Sequence, residues 1–335
     1  MLNEIELKLR MSATDEPKLR QHAAIKKHAV GEPITRALIS IYYDTPDLAL
    51  LDAKLSLRVR SMSGGWFQAI KSAGQSIGGL HQRLEWEDLL TKNQPDFNKI
   101  VEPHLAHIFS DHNLRKALKP VFVVDVMRTD WHLKYSDGTE IEVSLDLGEI
   151  KVCEPRVWEN IEPLNELEIE LKHGNGSHLF ELALALQEDI PFSIENLSKA
   201  QRGYSFIRPM PTIQTHSQAT KIPVKNQTPQ QLAVDCLTQI QANHEILQKV
   251  NHTASVSQMR FALYRLITVV ESLNLKPGFL RKQPGLLKEL HWLDKFLITP
   301  CGSKDYTKLQ NALNSQRYQR LLLSLGALLH TEMHI

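Results

Sequence analysis

Acidic and basic residues alternate with apolar residues in several short segments of the chain. In residues 4–10 (EIELKLR), Glu4, Glu6 and Lys8 occupy every second position, and the segment 166–172 (ELEIELK) repeats the pattern. In a β-strand, alternate residues share one face, so these charges lie side by side. Carboxylates bind hard divalent cations, and Arg and Lys bind phosphate. Such rows indicate a metal–phosphate site.

The same phase continues along other candidate strands. Every second residue of each gives a charged face: Glu4, Glu6, Lys8 and Arg10; Arg58 and Arg60; His81, Arg83, Glu85 and Glu87; Arg128, Asp130, His132 and Lys134; Glu140, Glu142, Ser144 and Asp146; Glu166, Glu168, Glu170 and Lys172.

Two architectures explain a strand with one charged and one apolar face. An open sheet with its polar face in water is the commoner cause of such alternation. However, glutamates at i, i+2 and i+4 place like charges side by side, which costs free energy unless a cation lies between them. The alternative is a closed barrel with the charges turned inward around a tunnel, for which eight strands suffice. We predict the barrel.

The elements that position these charges follow from periodicity. Helices are expected near 16–30, 96–117, 177–189 and 198–204. Turn residues such as Gly78-Gly79 and Asp137-Gly138 favour antiparallel pairing. Strands are expected at 3–10, 38–44, 55–61, 65–72, 80–88, 121–135, 139–151 and 164–172.

The pattern changes after residue 208. Residues 209–229 are poor in large apolar residues and rich in Pro, Thr and Gln, which predicts a linker. Period 3.6 then predicts helices at about 229–250, 254–275, 284–298 and 304–332, the last broken near Ser315. We therefore predict an α+β domain at 1–207, a linker at 208–228 and an all-α bundle at 229–335.

Composition narrows the class of protein. The three cysteines are far apart, which argues against a disulfide framework or structural zinc and suits the cytoplasm. No secretory signal or membrane-spanning run is expected. The net charge of +1 combines an acidic part, with 25 Lys/Arg against 31 Asp/Glu in residues 1–210, and a basic part, with 14 against 7 in residues 211–335. A nucleic-acid partner is not expected.

The ordered motifs resemble the CYTH superfamily, also called triphosphate tunnel metalloenzymes, and are closest to its bacterial inorganic triphosphatases. The resemblance covers 1–207. It rests on EIELK, IYYDTPD (41–47), LSLRVR (55–60), the lysine of QAIKSAG (68–74), GGLHQRLEWE (78–87), Arg128, EIEVSLDLGEIK (140–151), ELEIELK and LSKAQRGY (197–204).

The resemblance implies a role for each charged position. Lys71, Arg58 and Arg60 are the expected catalytic residues, and Lys71 is expected to contact phosphate rather than act as general base. His81 is expected to be a hydrogen-bonding core residue. The phosphate-binding residues would be Lys8, Arg58, Arg60, Lys71, Arg83, Arg128, Lys199 and Arg202, and the metal ligands Glu4, Glu6, Glu85, Glu142, Asp146, Glu168 and Glu170, holding Mg²⁺ or Mn²⁺.

The C-terminal part resembles a shortened CHAD domain in VSQMRFALYRL (256–266) and SQRYQRLLLSL (315–325). The resemblance implies polyphosphate binding. Ser257 stands where the family usually has histidine, so a docking role or homodimer formation is an equal alternative.

The leading functional hypothesis is metal-dependent hydrolysis of inorganic tripolyphosphate to diphosphate and phosphate. Its alternatives are adenylate cyclisation, hydrolysis of ATP or another organic triphosphate, and polyphosphate binding without catalysis.

Overall fold

The computed structural model describes residues 2–62, 64–153, 161–208, 227–274, 285–298 and 302–333. The predicted linker lies almost wholly outside these residues, as does Cys301. Cys153 and Cys236 are free thiols.

Eight antiparallel strands form a closed barrel. Around it the order is β1–β9–β8–β7–β2–β3–β4–β6, and β1 also pairs with β6, which closes the ring. The short β5 and β10 are additional. The strand bounds are β1 Leu2–Met11, β2 Ile34–Asp44, β3 Leu55–Met62, β4 Gly65–Ser72, β5 Gln75–Ile77, β6 Leu80–Leu90, β7 Lys119–Lys134, β8 Glu140–Val152, β9 Ile161–His173 and β10 Phe192–Ile194.

The closed ring decides between the two predicted architectures. All eight predicted strands are confirmed, with ends that differ by a few residues. In β1, Glu6 and Lys8 on one face and Leu7 and Leu9 on the other are all buried. An open sheet with a solvated charged face would leave the charged face exposed. The closed barrel is therefore confirmed.

Within residues 1–207, the helices predicted at 16–30, 96–117 and 177–189 are shorter or divided, the one predicted at 198–204 extends to Ile207, and a short helix at Ala49–Asp52 was not predicted. The stretch 16–30 holds α1 and α2, separated at His22, whose backbone is extended. The stretch 96–117 holds a 3₁₀ turn, α4 and α5. The bounds are α1 Glu16–Gln21, α2 Ala23–Lys26, α3 Ala49–Asp52, α4 Pro103–Ile108, α5 His112–Ala117, α6 Ser177–Leu186 and α7 Lys199–Ile207.

Helix α7 packs into one end of the barrel. Tyr204 lies in a buried cluster with Leu38, Tyr42, Phe122 and other side chains of β2 and β7. Its ring meets Phe122 edge-on, with 5.2 Å between the centroids. Gly203 permits this approach, because a Cβ there would lie 2.3 Å from the Phe122 ring. The first turn of α7, which carries Lys199, is thereby fixed.

The predicted C-terminal helices are also present. A buried apolar cluster joins them and includes Leu237, Met259, Leu290 and Tyr318. Helix α6 packs against the last of them, α12. The bounds are α8 Pro229–Lys249, α9 Thr253–Asn274, α10 Leu286–Asp294, α11 Ser303–Leu313 and α12 Gln316–Met333.

The chain divides into two compact units that do not follow a single cut in the sequence. One comprises Met1–Ser76, His81–Gly174 and Glu195–Met210, and the other Ile77–Leu80, Asn175–Ile194 and Pro211–Ile335. The predicted domain boundaries at 207 and 229 stay predictions. No helix in the described ranges combines the length and apolarity needed to cross a membrane.

Candidate active site

The barrel encloses a charged cavity of about 600 Å³. Of the described residues that line it, nine are basic and six are acidic, so the wall has an excess of positive charge. The lining comprises Glu4, Lys8, Arg36, Tyr42, Ser56, Arg58, Arg60, Met62, Lys71, Arg83, Glu85, Trp86, Glu87, Arg128, Glu142, Glu168, Glu170, Lys172, Ser198, Lys199 and Ala200.

Most of the predicted site residues meet here. Glu6 and Asp146 do not line the cavity; both are buried behind it. Glu6 accepts a hydrogen bond from Arg83 at 2.5 Å and lies 2.8 Å from the Lys8 ammonium. Arg202 also lies away from the cavity, where its guanidinium binds Glu162 at 2.6 Å.

The side of the cavity formed by β1, β4 and β6 is a chain of ion pairs. Glu4 accepts hydrogen bonds from Lys71 at 2.6 Å and from Arg83 at 2.7 Å. Lys71 also lies 3.2 Å from Glu85. Burial opposes ionisation of Glu4, but Lys71, Arg83 and Lys8 outweigh it and hold the pKa of Glu4 well below its usual value. Glu4 is therefore an anion at neutral pH.

On the opposite side, three cations converge on Glu168. Lys8 and Lys199 donate to one carboxylate oxygen, and Arg128 donates to the other at 2.8 Å. Arg128 also binds Asp146 with two hydrogen bonds of 2.7 and 2.6 Å. Burial opposes ionisation of Glu168, yet Lys199, Lys8 and Arg128 hold its pKa well below the usual value.

A row of like charges crosses three neighbouring strands. Glu170 stands directly opposite Glu6 on β1 and Glu142 on β8. Burial raises the pKa of Glu170 to about 7, and Glu4 and Glu6 add to the rise against the effect of Lys172. Such repulsion is relieved by a cation. This end of the cavity therefore favours positive charge.

Arg60 differs from the cations just described. Its guanidinium donates to the Ser40 hydroxyl at 2.9 Å, and it makes no ion pair with a described carboxylate. Burial lowers the pKa of Arg60 to about 10, and the nearby Arg58 and Arg128 contribute. Arg60 is half-buried, and a cation partly withdrawn from water without an ion-pair partner is costly unless an anion binds beside it. Arg60 therefore marks an anion position.

Lys71 also has a lowered pKa. Burial is the main cause, Arg83 and Arg58 add to it, and Glu4 and Glu85 oppose it. His81, which was expected to be a core residue, is buried, and its Nε2 lies 2.9 Å from the Glu195 carbonyl oxygen. Burial lowers the pKa of His81 to about 4, so the ring is neutral at neutral pH.

The model of the CYTH domain matches residues 2–204. The chain belongs to the CYTH family. The match covers the barrel strands and most of α7. The CHAD-like character of the C-terminal helices stays a prediction.

Relatives of this CYTH chain include an inorganic triphosphatase from Haemophilus influenzae, which is 35% identical over 208 residues. The alignment covers 61% of this chain and 55% of the relative, so the chain spans about half the length of the curated relative it matches.

Two solved structures are more distant. A Hippeastrum protein described as an adenylyl cyclase with dominant triphosphatase activity is 16% identical, with a TM-score of 0.40, over 61% of this chain and 96% of its own. An inorganic triphosphatase is 15% identical, with a TM-score of 0.23, over 61% and 95%. Likeness at this level does not establish a shared activity.

The CYTH cavity also contains residues that the sequence analysis did not assign to the site, although it placed Lys172 on a charged strand face. Arg36 lies two residues before the predicted start of β2, yet it is in phase with Ser40 and Tyr42 and pairs with Asp130 at 2.5 Å. Ser56 is in phase with Arg58 and Arg60. Lys172 continues the charged face of β9 and lies 2.7 Å from Glu170. Strand phase would have found all three. Nothing in the pattern predicted Ser198 or Ala200, which depend on where α7 docks.

Proposed function

We propose that this CYTH protein is an inorganic triphosphatase that hydrolyses tripolyphosphate to diphosphate and phosphate inside the barrel. The observation that carries the proposal is Arg60, a half-buried cation that makes no ion pair with a described carboxylate, in a cavity where basic residues outnumber acidic ones among the described lining. A linear triphosphate supplies the missing negative charge. The similarity to the inorganic triphosphatase from Haemophilus influenzae supports the same reaction.

The basic residues fit a phosphate-positioning role. Arg guanidinium groups bind phosphate oxygens in pairs, whereas Lys contributes a point charge. Phosphoryl transfer needs mainly positioning and charge stabilisation, so no nucleophilic side chain is required. We assign phosphate binding to Lys8, Arg58, Arg60, Lys71, Arg83, Arg128 and Lys199. Arg202 was also predicted to bind phosphate, but it lies away from the cavity, so its position does not support this role.

The acidic residues have the chemistry of a site for Mg²⁺ or Mn²⁺. Carboxylate oxygens are the ligands these ions prefer, and burial together with the neighbouring Glu4 and Glu6 raises the pKa of Glu170 despite Lys172, so a further cation there is favoured. Bound there, a divalent metal supplies charge neutralisation and water activation. The proposed ligands are Glu4, Glu85, Glu142, Glu168 and Glu170, with Glu6 and Asp146 buried behind them.

The substrate is expected to bind first and the metal after it. In the described part of the chain, no three His, Cys, Asp or Glu side chains are grouped as a preformed metal site. Instead, carboxylates such as Glu4 and Glu168 form ion pairs with Lys and Arg side chains. A triphosphate draws these cations toward its own oxygens and so frees carboxylates for metal.

Phosphate release from tripolyphosphate and from ATP, with Mg²⁺, Mn²⁺ or EDTA, tests the proposal. We expect metal-dependent release from tripolyphosphate that exceeds release from ATP. Glu168→Gln should reduce kcat at least about a hundredfold, because Glu168 binds three cations and is a proposed metal ligand. Glu181→Gln, at an exposed position of α6 that does not line the cavity, is the matched control and should keep full activity.

Three results contradict the proposal. Formation of cyclic AMP without phosphate release from tripolyphosphate indicates a cyclase, preferential cleavage of ATP indicates an organic triphosphatase, and binding without turnover under either metal indicates a binding protein. A cytoplasmic location, a homodimer and polyphosphate binding by the C-terminal helices stay predictions.

A further inference from the structure

A second cavity adjoins the first. It has a volume of about 370 Å³ and shares five lining residues with the cavity described above: Ser56, Lys71, Arg83, Ser198 and Ala200. It lies beside the first turn of α7, the end of β4 and the beginning of β6. Lys71 and Arg83 therefore lie at the boundary between the two cavities and border both. We call it the side chamber.

The charge of the side chamber differs from that of the main cavity. Its described lining includes three basic residues, Lys54, Lys71 and Arg83, and no acidic residue. The other polar groups there are hydroxyls and side-chain amides, which donate hydrogen bonds to anions. The His81 ring also lines the chamber and is neutral at neutral pH. The chamber therefore favours negative charge without offering metal ligands.

Lys54 is unusual in its backbone as well as its charge. It has a left-handed conformation with φ of 59°, which is disfavoured for a residue with a Cβ. Its carbonyl accepts a hydrogen bond from the Ala73 amide at 2.7 Å, which fixes the turn before β3. Its ammonium makes no ion pair with a described carboxylate. Lys54 is exposed at the edge of the chamber. A lysine rather than a glycine at a left-handed position indicates a functional constraint.

A nucleobase or other aromatic group fits the side chamber poorly. Recognition of a base uses a stacking aromatic side chain. Apart from His81, the described lining has one aromatic residue, Tyr204, and both its ring and its hydroxyl already have partners. Its ring packs on Phe122, and its hydroxyl donates to Asp44 at 2.9 Å.

We propose that the side chamber binds the phosphates of a linear polyphosphate beyond the third, with Lys54 contacting the far end of the chain. This inference rests on the proposed function, because it places the first three phosphates in the main cavity. The protein then accepts chains longer than tripolyphosphate, and Lys54 determines how strongly it prefers them.

Calorimetric binding of linear polyphosphates with three, four and six phosphates to the full-length chain in EDTA tests the inference without turnover. We expect Lys54→Asn and Lys54→Gly to weaken binding of the six-phosphate chain roughly tenfold, as for the loss of one charged hydrogen bond. The affinity for tripolyphosphate should stay within about twofold. Lys54→Arg should keep the preference for the longer chain.

Two controls separate charge from fold. Lys54→Gly removes the strain of the left-handed residue, so it should raise the unfolding temperature while weakening long-chain binding. Lys92→Asn, at an exposed loop position lining neither cavity, should change no affinity.

The inference is overturned if wild type binds six phosphates no more tightly than three, if the Lys54 variants weaken all chain lengths equally or none, or if they weaken ATP instead. If wild type binds tripolyphosphate but releases no phosphate with metal, the proposed hydrolysis fails. The chain-length dependence in EDTA still decides the side chamber.

Discussion

At the scale of single residues, two arginines in one cavity are held in opposite ways. Arg128 has a bidentate carboxylate partner in Asp146, which is fully buried. Arg60 has the Ser40 hydroxyl and other cations nearby. A paired buried charge stabilises its partner, whereas an unpaired one costs free energy. The two side chains therefore contribute to stability with opposite signs.

We expect Arg60→Ala to weaken tripolyphosphate binding by about 2 kcal/mol, because a charged hydrogen-bond donor to phosphate is lost. The free energy of unfolding of the ligand-free Arg60→Ala variant should stay equal or rise, since a partly desolvated cation is removed. Arg128→Ala should destabilise the ligand-free protein by about 3 kcal/mol, because Asp146 loses its main partner while keeping only Lys199. Calorimetry and chemical denaturation measure the two effects.

Equal destabilisation by both substitutions would show that Arg60 is a structural residue.

Sequence alone could not separate the two arginines. Because alternate residues of a strand share one face, the sequence predicted that both arginines face the tunnel. Which cation meets which carboxylate depends on the register of neighbouring strands. Asp146 is opposite Arg128 in that register, and the inward neighbour of Arg60 across β2 is Ser40.

At the scale of elements, the closing of the barrel and the docking of α7 position the site. Periodicity predicted all eight strands, but the pairing of β1 with β6 joins segments about 80 residues apart and leaves no local signal. Helix α7 was recognisable as SKAQRGY. The two contacts that fix it are tertiary: Gly203 packs against the Phe122 ring, and the Tyr204 hydroxyl donates a hydrogen bond to Asp44.

Asp44 connects α7 to the turn that follows β2. Its carboxylate accepts hydrogen bonds from the Thr45, Leu50 and Leu51 amides as well as from the Tyr204 hydroxyl. Burial raises the pKa of Tyr204, and the Asp44 carboxylate adds to the rise, so the hydroxyl keeps its proton and remains a donor. The bond holds the helix that carries Lys199.

Tyr204→Phe should lower the free energy of unfolding by about 1–2 kcal/mol, the cost of losing a buried hydrogen bond to a charged acceptor. It should also raise KM for tripolyphosphate, because Lys199 loses a fixed position. Tyr306→Phe, whose hydroxyl bonds Thr253 near the surface, is the matched control. An unchanged KM together with the expected loss of stability would show that Tyr204 acts on the fold alone.

At the scale of the whole molecule, each of the two compact units is built from several separated segments of the chain. Residues 175–194 precede the predicted linker, yet they cluster with the C-terminal helices. Composition and periodicity predicted a break near 209 because both change there. They could not show that α6 belongs with the helices beyond it, since an amphipathic helix does not reveal which core it covers.

Contacts within the second unit tie this segment to α12. Gln316 accepts a hydrogen bond from the Phe192 amide at 3.1 Å, and Gln319 accepts one from the Ile194 amide at 3.0 Å. The buried apolar side chains of α6 are Leu179, Phe180, Leu182, Ala183 and Leu186. Fully burying a large apolar side chain is worth about 1.5–3 kcal/mol. The C-terminal helices therefore stabilise a segment of the CYTH sequence itself.

A chain ended at Arg208 should consequently bind a hydrophobic dye and unfold at a lower temperature than the full chain, because α6 loses α12. A chain ended at Asn314 keeps α8 to α11 and lacks only α12. It should share the defect, since α12 is the helix against which α6 packs. Dye fluorescence and thermal unfolding of the three chains measure this. If the chain ended at Asn314 matched the full chain, the stabilising contact would lie elsewhere in the C-terminal helices.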